Sequence, residues 1–414
     1  MIFNEVYVRH ILESLCKDLK TDQIYLSGEC VYEISIGEEP IEIIVLINTP
    51  ASNEKIERAV RKLMGIREPS SFLVSSNGKQ LLMNANEKWI RIIRFDSDFA
   101  LASAHENLVF PLNAHIKASK IGFVYSTSAY ENKVKSNKVK EANVSIKGSE
   151  LYSPIDLYLR LLRISFEVNK SQYKISFLNN CHQKDFDRFL LAPALAKCAM
   201  SSKVHEMFSA LSEDESVLHQ IAPEFHQMLR IPQRKKRTNT NLLNHSVDTL
   251  SCASANLVVR WAGFLHDIGK IYTISYDSKL KKFTFRNHEH VGSYMSERIL
   301  IRLGYSEAFA KKVSKLIDLH MFPAQFQRNP NWTDRAIRKL MNAAEGDEIL
   351  LVELAIADKM ASQDSFKMVE QLHELRNKMS KMKSTVVDSS DVRLSNNPIL
   401  LGDRDLEETR DGLY

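Results

Sequence analysis

The stretch Phe264-Leu-His-Asp-Ile-Gly-Lys270 places a histidine and an aspartate side by side at the end of an apolar helical segment. The pattern predicts that His266 and Asp267 close this helix and that Gly269 terminates it. Neighbouring residues on a helix point about 100° apart. Both can therefore bind one ion only near a helix end, and the break at Gly269 allows this. The stretch predicts a metal site at a helix terminus.

Further histidines surround this stretch. The chain has 13 histidines, and five of them fall within residues 245–320. Each lies on or beside an apolar helical pattern, which predicts one ligand from each of several helices. The predicted histidine ligands are His245, His266, His288 and His320. His290 is two residues from His288 and is an alternative ligand that the sequence leaves open.

A second aspartate completes the predicted site. Asp358 lies inside the apolar segment Ile349-Leu-Leu-Val-Glu-Leu-Ala-Ile-Ala-Asp-Lys-Met360, which predicts a buried carboxylate on a helix. An unpaired buried charge costs several kcal/mol, so Asp358 needs a counter-charge. A metal ion shared with His245, His266 and Asp267 provides one.

The predicted ligands define the chemistry. Imidazole and carboxylate together suit Mn²⁺, Fe²⁺, Co²⁺, Ni²⁺ or Zn²⁺, and Mg²⁺ is an alternative if waters complete its shell. Asp267 is placed to bridge two ions, and whether one or two bind depends on His288 and His320. The predicted catalytic residues are Asp267, which orients the attacking water, and Lys270, which neutralises phosphate charge. The alternative for Lys270 is a cation at a helix C-terminus.

Composition bounds the class of protein. The chain of 414 residues is 44% apolar and 26% charged, which is typical of a globular protein with two or three domains. The five cysteines form no C-x-x-C pair, so neither a disulfide framework nor a thiolate zinc site is expected. The sequence shows no signal peptide and no apolar run of roughly 18 residues, which predicts a cytoplasmic location without a membrane partner.

The fold class is predicted as α+β. Short segments rich in β-branched and aromatic residues fill the first third of the chain, and helical periodicity dominates from about residue 156. An α/β head, a helical neck, a helical domain and a tail are predicted, with the ranges 1–150, 151–230, 231–385 and 386–414.

Two basic runs suggest a polyanionic partner. Residues 133–140 hold four lysines, and the second run is Arg234, Lys235, Lys236 and Arg237. Such clusters bind phosphate backbones in many proteins. Solvated surface loops are the equally reasonable alternative.

Several motifs occur together in one order. These are Arg160-Leu-Leu-Arg163, Ala222-Pro-Glu-Phe225, Phe264-Leu-His-Asp-Ile-Gly-Lys270, Asn287-His-Glu-His-Val-Gly292, Asn331-Trp-Thr-Asp-Arg-Ala-Ile-Arg338 and Leu354-Ala-Ile-Ala-Asp-Lys359. In this order and spacing the chain resembles the bacterial tRNA nucleotidyltransferases, or CCA-adding enzymes, that carry an appended HD domain. The resemblance implies a nucleotidyltransferase-like α/β head, an all-α neck and an all-α HD domain.

The head departs from that family's pattern. Tyr25-Leu-Ser-Gly-Glu-Cys-Val-Tyr-Glu-Ile-Ser-Ile-Gly37 aligns with the family's Y-L-V-G-G-x-V-R-D-x-L-L-G. Gly28 is kept, but Glu29 replaces the second glycine, where the phosphates of a nucleotide would approach bare backbone. Tyr32 and Glu33 replace the arginine and the aspartate.

The family's metal-binding D-x-D motif is also altered. Its two aspartates fall on Glu42 and Ile44, which cannot hold two Mg²⁺ ions. The base-reading E-D-x-x-R falls on Asp156-Leu-Tyr-Leu-Arg160, where the second acid is Leu157. The head is therefore interpreted as a degenerate nucleotidyltransferase.

The resemblance implies hydrolysis of 2′,3′-cyclic phosphates and 2′-phosphates at RNA 3′ ends, with tRNA as the partner held by the inactive head. Arg335 and Arg338 are expected to contact phosphate, with a surface role as the alternative. A role in tRNA repair is a further hypothesis. The oligomeric state is open, a homodimer included.

Three other functions compete with this one. The first is hydrolysis of free cyclic nucleotides, because a fold alone does not fix a substrate. The second is a non-catalytic tRNA-binding protein with a structural metal. The third is nucleotide addition that persists through Glu42 with Asp96 or Asp98.

Overall fold

The structure, a computed structural model, describes residues 2–35, 38–65, 71–95, 115–119, 122–125, 144–145, 152–167, 175–176, 186–234, 239–279, 281–323, 333–362 and 366–385. Several predictions fall outside these residues. They concern the lysine run 133–140, Lys235 to Arg237, the side chain of Arg234, Asp96, Asp98 and the tail 386–414.

A seven-stranded sheet forms the N-terminal part of the chain. Its strands are β1 (Ile24–Ser27), β2 (Glu42–Ile47), β3 (Ser71–Val74), β4 (Gln80–Ala85), β5 (Lys88–Arg94), β6 (His115–Ser119) and β7 (Gly122–Tyr125), and its helices are α1 (Ile2–Leu19), α2 (Glu29–Ser35) and α3 (Asn53–Leu63). The strand order is β3-β4-β5-β2-β1-β6-β7, and within it only the β2–β5 pair is parallel. This mixed sheet confirms the predicted α+β class.

Strand β4 is difficult to recognise in the sequence. Gln80 and Asn84 make its pattern look polar, yet both side chains are buried in the sheet. Asn86 and Glu87 then adopt positive φ angles of 54° and 59°, which form the tight turn into β5. Polar residues at buried strand positions concealed the hairpin.

The remainder of the chain is mainly helical. A short ladder pairs β8 (Val144–Ser145) with β9 (Ile175–Ser176), and a 3₁₀ turn spans Arg188–Leu191. The helices are α4 (Pro154–Glu167), α5 (Ala192–Met200), α6 (Val204–Ser212), α7 (Glu215–Ile221), α8 (Pro223–Met228), α9 (Leu242–Cys252), α10 (Leu257–Leu265), α11 (Lys270–Thr273), α12 (His288–Arg302), α13 (Glu307–Leu319), α14 (Asp334–Ala344), α15 (Glu348–Ala361) and α16 (Phe366–Thr385).

Two short hairpins interrupt this helical region, which the sequence analysis expected to contain helices alone. Strands β10 (Pro232–Arg234) and β11 (Asn239–Asn241) pair just before α9. Strands β12 (Ile274–Asp277) and β13 (Lys282–Phe285) pair between α11 and α12. Each strand has three or four residues, too few for period-2 alternation to stand out in the sequence.

Side-chain caps set where the helices of the predicted site begin. Asn241 accepts a hydrogen bond from the backbone N–H of Asn244 at the start of α9, and Asn256 does the same for α10. Helix α9 packs against α10 and α15, and α13 packs against α10 and α12. Every helix that carries a predicted ligand therefore packs against α10 or α13, and these two helices pack against each other.

Aromatic residues join the sheet to the helical region. The ring of Trp89 on β5 meets the ring of Tyr305 edge to face at 5.6 Å, and the indole N–H of Trp261 donates to the Tyr305 hydroxyl at 2.8 Å. All three side chains are buried. The sheet and the helices thus share one apolar core.

The described helices include none that is both long and apolar enough to cross a membrane.

Candidate metal centre

Four ligand atoms from three helical segments form the first group of the site. The Nε2 atom of His245 lies 3.3 Å from Oδ1 of Asp358 and 3.8 Å from Oδ2 of Asp267. The Nε2 atom of His266 lies 3.2 Å from Oδ2 of Asp267 and 3.7 Å from Oδ1 of Asp358. These four residues are the core set that the sequence predicted.

The other oxygen of Asp267 belongs to a second group. Its Oδ1 atom lies 3.1 Å from Nε2 of His288 and 4.0 Å from Nε2 of His320. The two Nε2 atoms are 3.3 Å apart. The structure therefore brings all six predicted ligands together, with one oxygen of Asp267 in each group.

The spacing of these atoms fits metal binding. Ligand atoms about 2.1 Å from a shared ion lie roughly 3.0 to 4.2 Å from one another. The distances given above between the ligand atoms of each group lie between 3.1 and 4.0 Å. The histidine–histidine pair adds a chemical argument. In the tautomer with the proton on Nδ1, the Nε2 atoms of His288 and His320, 3.3 Å apart, both carry lone pairs. A cation between them removes the repulsion of these lone pairs.

Backbone carbonyls orient three of the four imidazoles. The Nδ1 atoms of His266, His288 and His320 lie 2.9, 2.8 and 2.6 Å from the carbonyl oxygens of Gly263, Phe285 and Ile317, each three residues earlier. A carbonyl only accepts, so each Nδ1 must carry the proton. In the neutral ring this leaves the Nε2 lone pair directed into the site, which is the usual arrangement of a metal-binding histidine.

The protonation states of the second group favour cation binding. Burial, together with the nearby His266, lowers the pKa of His320 to about 3, so its imidazole is neutral at pH 7. Burial alone would raise the pKa of Asp267. Lys270 and His266 outweigh burial and hold that pKa well below its ordinary range. The group therefore presents an ionised carboxylate beside a neutral imidazole.

The first group is more strongly charged. Burial would lower the pKa of His266, but the carboxylates of Asp267 and Asp358 raise it. Burial would raise the pKa of Asp358, but the hydrogen bond from His245 and the charge of His266 lower it. A cation that binds here competes with a proton for the Nε2 atom of His266.

Asp358 is more exposed than the sequence predicted. Its side chain is 23% exposed, whereas those of His245 and His266 are each 2% exposed. The sequence predicted a buried carboxylate, and the structure shows a partly exposed one, although its Oδ1 atom faces the buried imidazoles of His245 and His266. The site thus opens to solvent beside Asp358.

Lys270 contacts the site directly. Its Nζ atom donates to Oδ2 of Asp267 at 2.6 Å and to Oε1 of Gln233 at 3.2 Å. Lys270 lies in the four-residue helix α11, beyond the end of α10 at Leu265. Gln233, and Lys359 with its Nζ atom 3.3 Å from Oδ2 of Asp358, were not anticipated. The sequence offers one signal for Lys359, which is its position next to Asp358, and none for Gln233.

The alternative ligand His290 lies outside the cluster. Its side chain is 64% exposed and pairs with Asp318. Arg335 and Arg338 are exposed on α14, which packs against the two helices α13 and α15 beside the site. Their contact with phosphate stays a prediction.

The end of α10 differs from the sequence prediction. The helix ends at Leu265 with His266 as its cap, and Gly269 has a φ of −62°, so it does not terminate the helix in the left-handed conformation. Gly269 is needed for a different reason. A Cβ atom there would lie 2.1 Å from the carbonyl oxygen of His288 and 2.6 Å from the N atom of Gly292. The glycine lets α12 approach, which brings His288 to Asp267.

Replacing Gly269 by alanine should therefore destabilise the protein by about 1–3 kcal/mol, the typical cost of overpacking. The matched control is Gly263→Ala on α10, where a Cβ atom meets Thr249 at an ordinary 3.4 Å. This control should be neutral or slightly stabilising. Urea unfolding followed by circular dichroism measures both. Equal midpoints for the two variants would show that the close approach is unimportant.

Ion pairs fill the part of the head that carries the altered motif residues. The two carboxylate oxygens of Glu42, on β2, accept from Nε of Arg91 at 2.8 Å and from Nη2 of Arg160 at 2.7 Å. Arg160 also reaches Asp156 at 2.8 Å, and Arg91 pairs with the same carboxylate. Ile44 is buried, and its side chain has no atom that could bind a metal ion. The one carboxylate left from the metal-binding motif is therefore occupied by guanidinium groups.

Glu29 extends this network from the altered glycine position. The Nζ atom of Lys197 lies 2.8 Å from both Glu29 and Glu33, and Arg163 lies 3.2 Å from the same two carboxylates. Burial alone would raise the pKa of Glu29, but Arg163, Lys197 and Arg160 lower it. The sequence analysis identified the acids and the two neck arginines but missed Arg91 and Lys197. Nothing near them in the sequence marks them as partners.

Residues 218–363 match the family model of the HD domain. HD domains are metal-dependent phosphohydrolase domains. The match includes all six predicted ligands, and the presence of an HD domain, predicted from the sequence, is confirmed.

The chain is similar in part to several individual proteins that are named as tRNA nucleotidyltransferases or CCA-adding enzymes. The A-adding tRNA nucleotidyltransferase of Deinococcus radiodurans is 37% identical over 67 residues, which cover 16% of this chain and 15% of that protein. A tRNA nucleotidyltransferase solved with a primer tRNA and an incoming ATP analog is 10% identical, with a TM-score of 0.44 over 90% of this chain and 99% of that chain. A CCA-adding enzyme solved with ATP is also 10% identical, with a TM-score of 0.37 over 96% and 88%.

Proposed function

We propose that this protein is a metal-dependent phosphohydrolase that opens 2′,3′-cyclic phosphates and removes phosphates at RNA 3′ ends, with tRNA as its substrate. The observation that carries the proposal is the pair of ligand groups that share Asp267. The choice of RNA as substrate rests on the sequence motifs that resemble those of tRNA nucleotidyltransferases. One relative with a similar segment is named as an A-adding tRNA nucleotidyltransferase.

The residues that would hold divalent ions are His245, His266, Asp267 and Asp358 in one group and Asp267, His288 and His320 in the other. When bound, such ions supply Lewis-acid polarisation of a phosphoryl oxygen and lower the pKa of a water ligand. Mn²⁺, Fe²⁺, Co²⁺, Ni²⁺ and Zn²⁺ all suit this mixture of nitrogen and oxygen.

The protein's own groups hold the reacting atoms in place. The carbonyl partners of His266, His288 and His320 fix the direction of each Nε2 atom. The ionised carboxylate of Asp267 is available to accept a hydrogen bond from the attacking water. The ammonium group of Lys270, 2.6 Å from Asp267, can donate a hydrogen bond to a phosphate oxygen and so stabilise the negative charge that develops there. Substrate would enter beside Asp358, whose side chain is the most exposed of the six predicted ligands.

A panel of metal-stripped and reconstituted full-length protein tests this proposal. We expect hydrolysis of RNA ending in a 2′,3′-cyclic phosphate with at least one of Mn²⁺, Co²⁺, Ni²⁺, Zn²⁺ or Mg²⁺. Metal content by mass spectrometry gives the number of ions independently of activity. Equal kcat/KM on cyclic-phosphate-ended tRNA and on a free 2′,3′-cyclic mononucleotide would favour the free-nucleotide alternative. An absence of hydrolysis with every ion would favour a non-catalytic protein.

We further propose that the head adds no nucleotides. Supporting this, both oxygens of Glu42 are taken by arginines, and Ile44 offers no ligand. The test is incorporation of labelled CTP or ATP into tRNA that lacks its 3′ end. We expect none, and incorporation that is lost in Glu42→Gln would overturn the proposal.

A further inference from the structure

The hairpin of β12 and β13 connects two parts of the metal centre. It begins four residues after Lys270 and ends three residues before His288. Ile274 pairs with Phe285, and Tyr276 pairs with Phe283. Because side chains alternate along a strand, these four apolar side chains lie on one face of the hairpin.

This aromatic face is open to solvent. Tyr276 is 59% exposed and Phe283 is 51% exposed, and their rings meet edge to face at 5.5 Å. An isolated two-stranded hairpin normally buries its apolar face, since it is marginally stable without such packing. Among the described residues, these two rings are among the few large apolar side chains left so exposed. The face therefore has the character of a binding surface.

The same face continues into the metal centre. The ring of Phe285, at the base of the hairpin, lies 5.3 Å from the Nζ atom of Lys270. That Nζ atom donates to Asp267, which contributes to both ligand groups. A chain of contacts thus runs from the exposed rings to the carboxylate at the centre of the site.

The charge of the hairpin identifies the kind of partner. Residues 274–286 carry four basic residues, Lys279, Lys281, Lys282 and Arg286, and one acid, Asp277. All four basic residues are exposed. Asp277 accepts a hydrogen bond from the N–H of Lys279 in the turn. Exposed aromatic rings with interspersed cations are the combination that binds unpaired nucleotides, because bases stack on rings while cations meet phosphates.

We propose that this hairpin holds the last unpaired nucleotides of an RNA strand, with bases stacked on Tyr276 and Phe283 and the 3′-terminal phosphate directed past Phe285 to Lys270. The inference rests on the proposed function for the identity of the reacting group. It deepens that function by specifying a single-stranded 3′ end. A duplex end cannot offer unstacked bases to the rings.

Binding of a fluorescein-labelled single-stranded RNA that ends in a 3′-hydroxyl, and so is not consumed, tests the proposal by anisotropy. The double variant Tyr276→Ala/Phe283→Ala of the full-length protein should bind about 10-fold more weakly, as expected for the loss of a stacked base. Tyr276→Phe/Phe283→Tyr keeps both rings and should bind like the wild type. The matched control Tyr294→Ala removes a ring that is 63% exposed on α12 and should bind within about twofold.

Four outcomes are decisive. Single-strand affinity of the double variant within twofold of the wild type would overturn the proposal, as would an equal loss for a blunt duplex. A change in oligomeric state with unchanged RNA affinity would also overturn it and show a protein interface instead. Retained hydrolysis of a 2′,3′-cyclic mononucleotide with weakened single-strand binding would support it. If the wild type hydrolyses no phosphoester, the proposed function fails, while the binding comparison still decides the role of the hairpin.

Discussion

Asp267→Asn should lower kcat/KM for 2′,3′-cyclic phosphate hydrolysis by at least about 10³-fold. Its two carboxylate oxygens lie in different ligand groups, and an amide keeps the shape but loses the charge and one oxygen ligand. Metal-assisted stabilisation of the transition state contributes several kcal/mol, and each 1.36 kcal/mol corresponds to a factor of ten. The measurement is kcat/KM at saturating Mn²⁺, together with bound metal by mass spectrometry.

His290→Ala is the matched control for this variant. It removes an imidazole from the first turn of α12, two residues from His288, but its side chain is exposed and pairs with Asp318. We expect its activity and metal content to equal those of the wild type. Activity of Asp267→Asn within tenfold of the wild type would contradict the assignment of Asp267 as the shared ligand. Loss of activity in His290→Ala would show that the ligand set is misassigned on α12.

The residues of the candidate metal centre were predictable because each lies on or beside an apolar helical segment that can be recognised in the sequence. His245, His266 and His320 follow patterns that make their helices amphipathic, and such helices bury one face against their neighbours. Residues at the ends of those faces then meet in the core. The order of histidines and aspartates along the chain therefore indicated which residues form the candidate site, but it gave no information about the distances between their ligand atoms.

The details that escaped prediction depend on contacts between distant parts of the chain. Gly269 looked like a helix terminator, but its requirement comes from α12, whose His288 carbonyl oxygen would meet any Cβ atom. The exposed fraction of the Asp358 side chain depends on which other segments of the chain pack over α15. Local propensity carries no information about such tertiary contacts.

The buried ion network escaped prediction for the same reason. Lys197 and Glu29 are 168 positions apart in the sequence, and Arg91 and Asp156 are 65 apart. The altered motif residues at Glu29 and Glu42 led to the interpretation of the head as a degenerate nucleotidyltransferase. They did not show that cations from β5, α4 and α5 neutralise them.

Arg160→Met should lower the free energy of unfolding by about 3–5 kcal/mol, the cost of removing one partner from a buried ion pair. The Arg160 guanidinium contacts Asp156 at 2.8 Å, Glu42 at 2.7 Å and Glu29 at 3.4 Å, and all four side chains are fully buried. Methionine fills similar volume but leaves these carboxylates short of a counter-charge. Burial then penalises each of them, because neither water nor another cation replaces the lost bonds.

The matched control is Arg302→Met, which removes a guanidinium that pairs with Glu224 at 2.6 Å but is 38% exposed. Surface pairs contribute about 0–1 kcal/mol, so this variant should unfold near the wild-type midpoint. Urea unfolding followed by circular dichroism and tryptophan fluorescence compares the two variants, and equal slopes would show that both unfold the same structure. A loss for Arg160→Met no larger than that for Arg302→Met would mean that Arg91, Arg163 and Lys197 suffice to neutralise the acids.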